Sequence, residues 1–216
     1  MLKTLLSATA LLLAATTAQA ATVDQSNLRT GSGGNALTID STTTFRAQTF
    51  TVGLDGILTG VRTSLSDPSA ASGLQLDVGI FGVSGSTIDI ASGPLLSKTV
   101  APNLGSTGIF DYTLFETLFA SSLPVSVGET YAIVLSGVSG PQNQGFFWDG
   151  TGDTYASGSR WQVFSPAGSL VEVSTQDHAF ETLVSTSVMT PIPLPASLPL
   201  LLAGLGAFGL LRRRRG

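Results

Sequence analysis

Leu74-Gln75-Leu76-Asp77-Val78-Gly79-Ile80 alternates an aliphatic side chain with a polar or small one at every step. A period of two puts the four aliphatics on one face of a β-strand, turned to a core, and leaves Gln75 and Asp77 on the other. The same reading extends in both directions. Ile57, Val61 and Leu65 share a phase, Phe110, Tyr112 and Leu114 share another, and Tyr131, Ile133 and Leu135 line a third strand. Further strands are predicted over 45–52, 95–101, 144–149, 160–164 and 179–185. Between them stand turn signals: Gly53-Leu54-Asp55-Gly56, Ser66-Asp67-Pro68, residues 82–85, Pro102-Asn103-Leu104-Gly105, Val127-Gly128-Glu129 and Gly150-Thr151-Gly152-Asp153. Many short strands at this spacing, with no long stretch of 3.6-residue period, predict an all-β fold: an antiparallel β-sandwich of jelly-roll type. Residues 21–34 are polar and Gly-rich and read as a loose lead-in.

Charge is unevenly spread over the 216 residues. All 14 acids lie between residues 21 and 191, against five bases there: Arg29, Arg46, Arg62, Lys98 and Arg160. An acidic body with scattered bases lacks the clustered positive surface that phosphates require, which argues against nucleic acid as a partner. There is no cysteine, so disulfides, thiolate metal sites and a cysteine nucleophile are excluded. A body of about 170 residues is large enough to rely on its own core.

The two ends carry export chemistry. Lys3, the apolar run 5–15 and Ala18-Gln19-Ala20 form a signal peptide over residues 1–20, to be cut by signal peptidase before Ala21. Residues 21–187 are then the β-sandwich domain, and 188–216 a linker and sorting signal. In that tail a Pro-rich hinge precedes the apolar run 198–211 and the cluster Arg212, Arg213, Arg214 and Arg215. Counted from Leu194, the run spans ~27 Å as a helix, near the short limit for crossing a bilayer. The arginines would stop transfer and hold the C-terminus in the cytoplasm, with the body on the far side of the inner membrane. On hydropathy alone an ordinary single transmembrane helix reads the same way.

Ile192-Pro193-Leu194-Pro195-Ala196, followed by that helix and Arg cluster, resembles the PEP-CTERM sorting signal of Gram-negative bacteria in its V-P-L-P-A variant, with Ile192 in place of Val. The resemblance implies processing by an exosortase, a membrane-embedded cysteine protease-transpeptidase that removes the tail and passes the body outward. A second resemblance covers residues 45–185. Ala47-Gln48-Thr49-Phe50-Thr51, residues 128–135, Asp153-Thr154-Tyr155-Ala156-Ser157-Gly158 and Asp177-His178-Ala179-Phe180 are similar to landmarks of the choice-of-anchor exported β-sandwich domains. That family implies a jelly-roll-like module and assigns it no enzymatic role, so no catalytic residue is carried over.

Residues able to carry chemistry are few. His178, the only histidine, follows Asp177, but neighbours in a strand point to opposite faces, so Asp177 is a poor orienter for a catalytic triad. No G-x-S-x-G elbow occurs. Asp149, Asp153, Glu172, Asp177 and Glu181 supply carboxylates that a glycosidase would need in a facing pair. Asp149-x-Thr151-x-Asp153 begins like a calcium loop, but Arg160 stands where an EF-hand has Glu. Calcium on a sandwich loop, through Asp149, Asp153 and carbonyls, is the one cofactor the spacing leaves open. Phe147, Trp148, Tyr155 and Trp161, near Gln142, Asn143 and Gln144, are candidate glycan-binding residues; core packing is the competing reading for such large aromatics.

The chain is therefore expected to be an exported, non-enzymatic protein of the cell surface or extracellular matrix, structural or adhesive within exopolysaccharide. The alternatives are a secreted carbohydrate-active enzyme and a periplasmic glycan-binding module that keeps its membrane anchor.

Overall fold

Fourteen strands follow one another with no helix between them among the described residues of the computed structural model, 21–29, 35–39, 45–67, 75–105, 108–139, 145–163 and 170–186. In chain order they are β1 (Thr22–Asn27), β2 (Asn35–Ile39), β3 (Arg46–Thr51), β4 (Gly56–Ser66), β5 (Gln75–Ser84), β6 (Thr87–Ile88) and β7 (Leu96–Val100). Then come β8 (Thr113–Val125), β9 (Thr130–Ser139), β10 (Phe146–Gly152), β11 (Arg160–Gln162), β12 (Val171–Val173), β13 (Gln176–His178) and β14 (Phe180–Ser185). The expected signal peptide, linker and C-terminal sorting helix lie outside the described residues.

Two antiparallel sheets result. The first runs β1-β14-β4-β10-β13, with β2 on β10 and β8 on β4. The second runs β12-β11-β3-β9-β5, with β6 and β7 both on β5. From β3 to β5, and again from β7 to β11, the chain changes sheet at each connection, so neither sheet is completed before the other. Each sheet hides one face against its counterpart, the solution open to amphipathic strands. Phe50 of β3 and Phe180 of β14 meet across the layers with centroids 6.3 Å apart. Tyr155 stands edge-on to Phe180 at 5.2 Å. Leu76, Val78 and Ile80 of β5 join Ile133 and Leu135 of β9 in this core, as the alternation foretold. Each fully buried aliphatic contributes about 1.5–3 kcal/mol relative to exposure.

Four expectations are corrected. Residues 22–27 form β1, hydrogen-bonded to β14, rather than a loose lead-in. Its polar side chains close the sandwich: the amide of Asn27 donates to the His178 carbonyl at 2.9 Å, and Tyr155 donates to Gln25 at 2.9 Å. Phe110 lies in a turn, 58% exposed, and Leu114 faces out. On β8 it is Phe115, Phe119 and Leu123 that pack on the core, the opposite phase. On β4 a register shift around Thr59 re-phases the strand, so that Leu58 rather than Ile57 joins Val61 and Leu65 inside. Finally, Gly150-Thr151-Gly152 continues β10 against β13 instead of turning.

Lys98 of β7 donates to the Leu118 carbonyl of β8 at 3.0 Å. A lysine on a strand edge also discourages pairing with foreign chains.

Gly158 is where the segment leading into β11 crosses β3. A Cβ there would collide with the Thr49 carbonyl, a backbone atom that cannot swing aside. Gly158→Ala should cost about 1–3 kcal/mol in urea unfolding. Gly152→Ala, with nothing within 4 Å of its added Cβ, should change stability by less than about 0.5 kcal/mol.

Candidate functional site

The inner and outer faces of the second sheet are built from alternate residues of the same strands, and both are covered. Outward from β3, β9 and β11 point Ala47, Ala132, Val134 and Trp161, all buried. Trp161 pairs with Ala47, and Ala47 with Val134, so the small alanine leaves a shallow floor beside the indole. Gly79, opposite Val134, extends that floor because the Phe81 ring lies over it: a Cβ there would come within 2.7 Å of the ring. Ile88 packs on this second apolar cluster, with Phe45, Val83, Ile90 and Leu170 around it.

Above the cluster opens a groove of about 610 Å³. Its apolar walls are Phe45, Trp161, Val163 and Leu170 on one side and Ile88 and Ile90 on the other, with Ser84, Thr87 and Asp89 supplying polar groups. The wall over residues 88–95 is pinned by its own backbone: Asp89 N donates to the Gly82 carbonyl at 2.9 Å and Leu95 N to the Ile80 carbonyl at 2.7 Å. Hydrogen bonds from the side chain and backbone of Ser92 hold the Asp89 carboxyl below its ordinary pKa, so it is an anion at neutral pH. The volume falls within the range of small-ligand sites, mostly apolar with a few placed polar groups. A pyranose ring matches that surface, since its C–H faces are apolar and its edges carry hydroxyls.

The four aromatics expected to bind glycan are not brought together. Trp148 is fully buried and stacked on His178, with centroids 4.1 Å apart and planes within 7°. Its indole donates to the Ala179 carbonyl at 2.9 Å. Tyr155 is buried in the core beside Phe180. Both are scaffold residues, because neither ring lines the groove. Phe147 is half-buried on β10, in the opposite phase to Trp148, and Trp161 alone lines the groove. The other groove residues were not singled out from sequence, though one signal was present. Residues 131–135 are an unbroken apolar run, Tyr-Ala-Ile-Val-Leu, which marks a strand covered on both faces.

The acids are placed as follows. Asp149 forms an ion pair with Arg29 and is buried. Glu181 pairs with Arg62 at 3.0 Å. Asp177 accepts from Gln48 Nε2 at 3.1 Å and from the backbone amides of Thr154 and Tyr155 at 2.9 and 2.8 Å. Asp153 and Glu172 are exposed. Among the described residues no three His, Asp or Glu side chains come together as a metal site. No protein-family model matches the chain, and a search of curated proteins finds no match.

His178 is fully buried, and its pKa is pushed well below 6.5 by desolvation first and then by the nearby Arg160 and Arg46 guanidiniums; Asp177 precedes it in the chain. It is therefore neutral when folded, while the unfolded chain takes up a proton as pH falls below 6.5. Because the unfolded state then binds more protons, stability is full above that pH and declines below it, by up to about 1.4 kcal/mol per pH unit. In denaturant unfolding from pH 7.5 to 5, His178→Phe, which keeps a ring on Trp148, should flatten this part of the slope.

Proposed function

We propose that the chain is an exported, non-catalytic β-sandwich of jelly-roll type that binds exopolysaccharide at the cell surface or in the extracellular matrix, after an exosortase processes its C-terminal tail. The groove beside Trp161 carries the binding half of this reading. It is a pinned concave surface that combines an indole, aliphatic walls, hydroxyls and an ionised Asp89. The tail residues Ile192 to Arg215 carry the sorting half. The non-catalytic reading draws support from the acids, since Asp149, Asp177 and Glu181 are each tied to structural partners.

Two measurements test it. Intact mass and fractionation of the native protein, with and without the exosortase, should find the Arg212–Arg215 tail lost and the body outside the cell only when the enzyme is present. A full-length tail retained in the inner membrane would contradict the sorting half. For binding, the chain has two tryptophans, of which Trp148 is fully buried in the core and Trp161 lines the groove, so a change in fluorescence on adding the cell's own exopolysaccharide should come from Trp161. Asp89→Ala or Trp161→Ala should weaken that binding by about tenfold or more, with Phe147→Ala unaffected. Equal binding by all three variants would remove the groove from the account.

A further inference from the structure

The inward-facing residues of β3 and β11 are unusual for a sandwich interior. Arg160 lies opposite Gln48, and Gln162 opposite Arg46, so two guanidiniums and two amides form one patch facing β13. Arg160 is only 5% exposed. Its Nε and Nη1 find no hydrogen-bond partner among the described residues, and its Nη2 reaches Gln162 Oε1 only at 3.5 Å.

Asp177 attracts Arg160 through space but makes no hydrogen bond to it: its Oδ1 accepts from Gln48 and its Oδ2 from the amides of Thr154 and Tyr155. Arg46 adds a second positive charge, with its Nη1 donating to the Val163 carbonyl at 3.3 Å. The imidazole of His178 brings no negative charge: its Nδ1 lies 3.3 Å from the Asp149 carbonyl, which can only accept, so Nδ1 carries the proton. A guanidinium cannot shed its proton to escape burial, and an uncompensated buried charge is strongly destabilising.

We propose that this patch is a structural anion site, in which the free N–H groups of Arg160, beside Arg46, hold one halide-sized monovalent anion such as chloride between the sheets. The donor atoms are closed off from solvent in the interior, which favours a small monovalent ion over sulfate or phosphate. It lies on the inner face of the sheet whose outer face bears the groove, and it is independent of what the groove binds.

Chloride should then stabilise the fold by mass action. Unfolding of the exported protein would be followed by heat or urea as chloride replaces gluconate at constant ionic strength. Above the dissociation constant, each tenfold rise in chloride should lower the unfolding equilibrium constant up to tenfold. Arg160→Met keeps the length without the charge and should abolish that dependence. Bromide-soaked crystals of the wild-type protein should show an anomalous peak within hydrogen-bond reach of Arg160, a readout that survives if the variant fails to fold. Chloride-independent unfolding of the wild type, an equal dependence in Arg160→Met, or ordered water with no bromide peak at Arg160 would each overturn the proposal.

Discussion

One buried side-chain pair joins the two sheets where most of the polar interior lies. Gln48 of β3 donates its amide to Asp177 of β13 and accepts the backbone N–H of His178 at 2.7 Å, so a single side chain bonds two consecutive residues of the opposite sheet. Asp177 then uses its second oxygen to fix the backbone of Thr154 and Tyr155. A carboxylate taken out of water is tolerable only with its lone pairs filled by good donors, and three N–H groups fill them here. The Tyr155 ring is thereby set against Phe180, and its hydroxyl reaches Gln25 of β1. Edge strand, core aromatic and crossing loop all depend on the clamp.

The alternation of two strands then separates scaffold from site. On β3, Gln48 points in while Ala47 points out; on β11, Arg160 and Gln162 point in while Trp161 points out. A one-residue slip would exchange the buried polar set for the groove floor, which is why register matters more here than in a sheet with one wet face. The clamp holds β3 against β13, and β3 in turn fixes β11, so the place of Trp161 on the outer surface follows from hydrogen bonds made on the inner one.

How much of this was legible in the sequence depends on how each element is held. Leu76, Val78 and Ile80 announced β5 because apolar burial writes a period of two into the chain. β1 was silent because Asp24, Gln25 and Asn27 bind through hydrogen bonds to residues more than a hundred positions away or in distant turns, which leave no local pattern. Ile57 falls out of phase with Val61 and Leu65 because the shift at Thr59 breaks the period, which sequence does not show. Alternation separates Phe147 from Trp148, but crowding of Phe147, Trp148, Tyr155 and Trp161 in sequence does not say which of the two faces is core or where Tyr155 and Trp161 point. Composition placed Trp161 among candidates, yet Asp89, Ile88 and Phe45 reach it only through the pairing of β5 with β9 and β9 with β3.

The clamp is tested most directly by the unfolding free energy of Asp177→Asn in urea at neutral pH. Asparagine keeps the shape but replaces one acceptor oxygen with a donor, so it must confront either Gln48 Nε2 or the amides of Thr154 and Tyr155. If the sandwich hangs on this pair, the variant loses about 3 kcal/mol or more. A change below about 0.5 kcal/mol would mean that the two sheets are held by apolar packing alone and that the clamp is incidental.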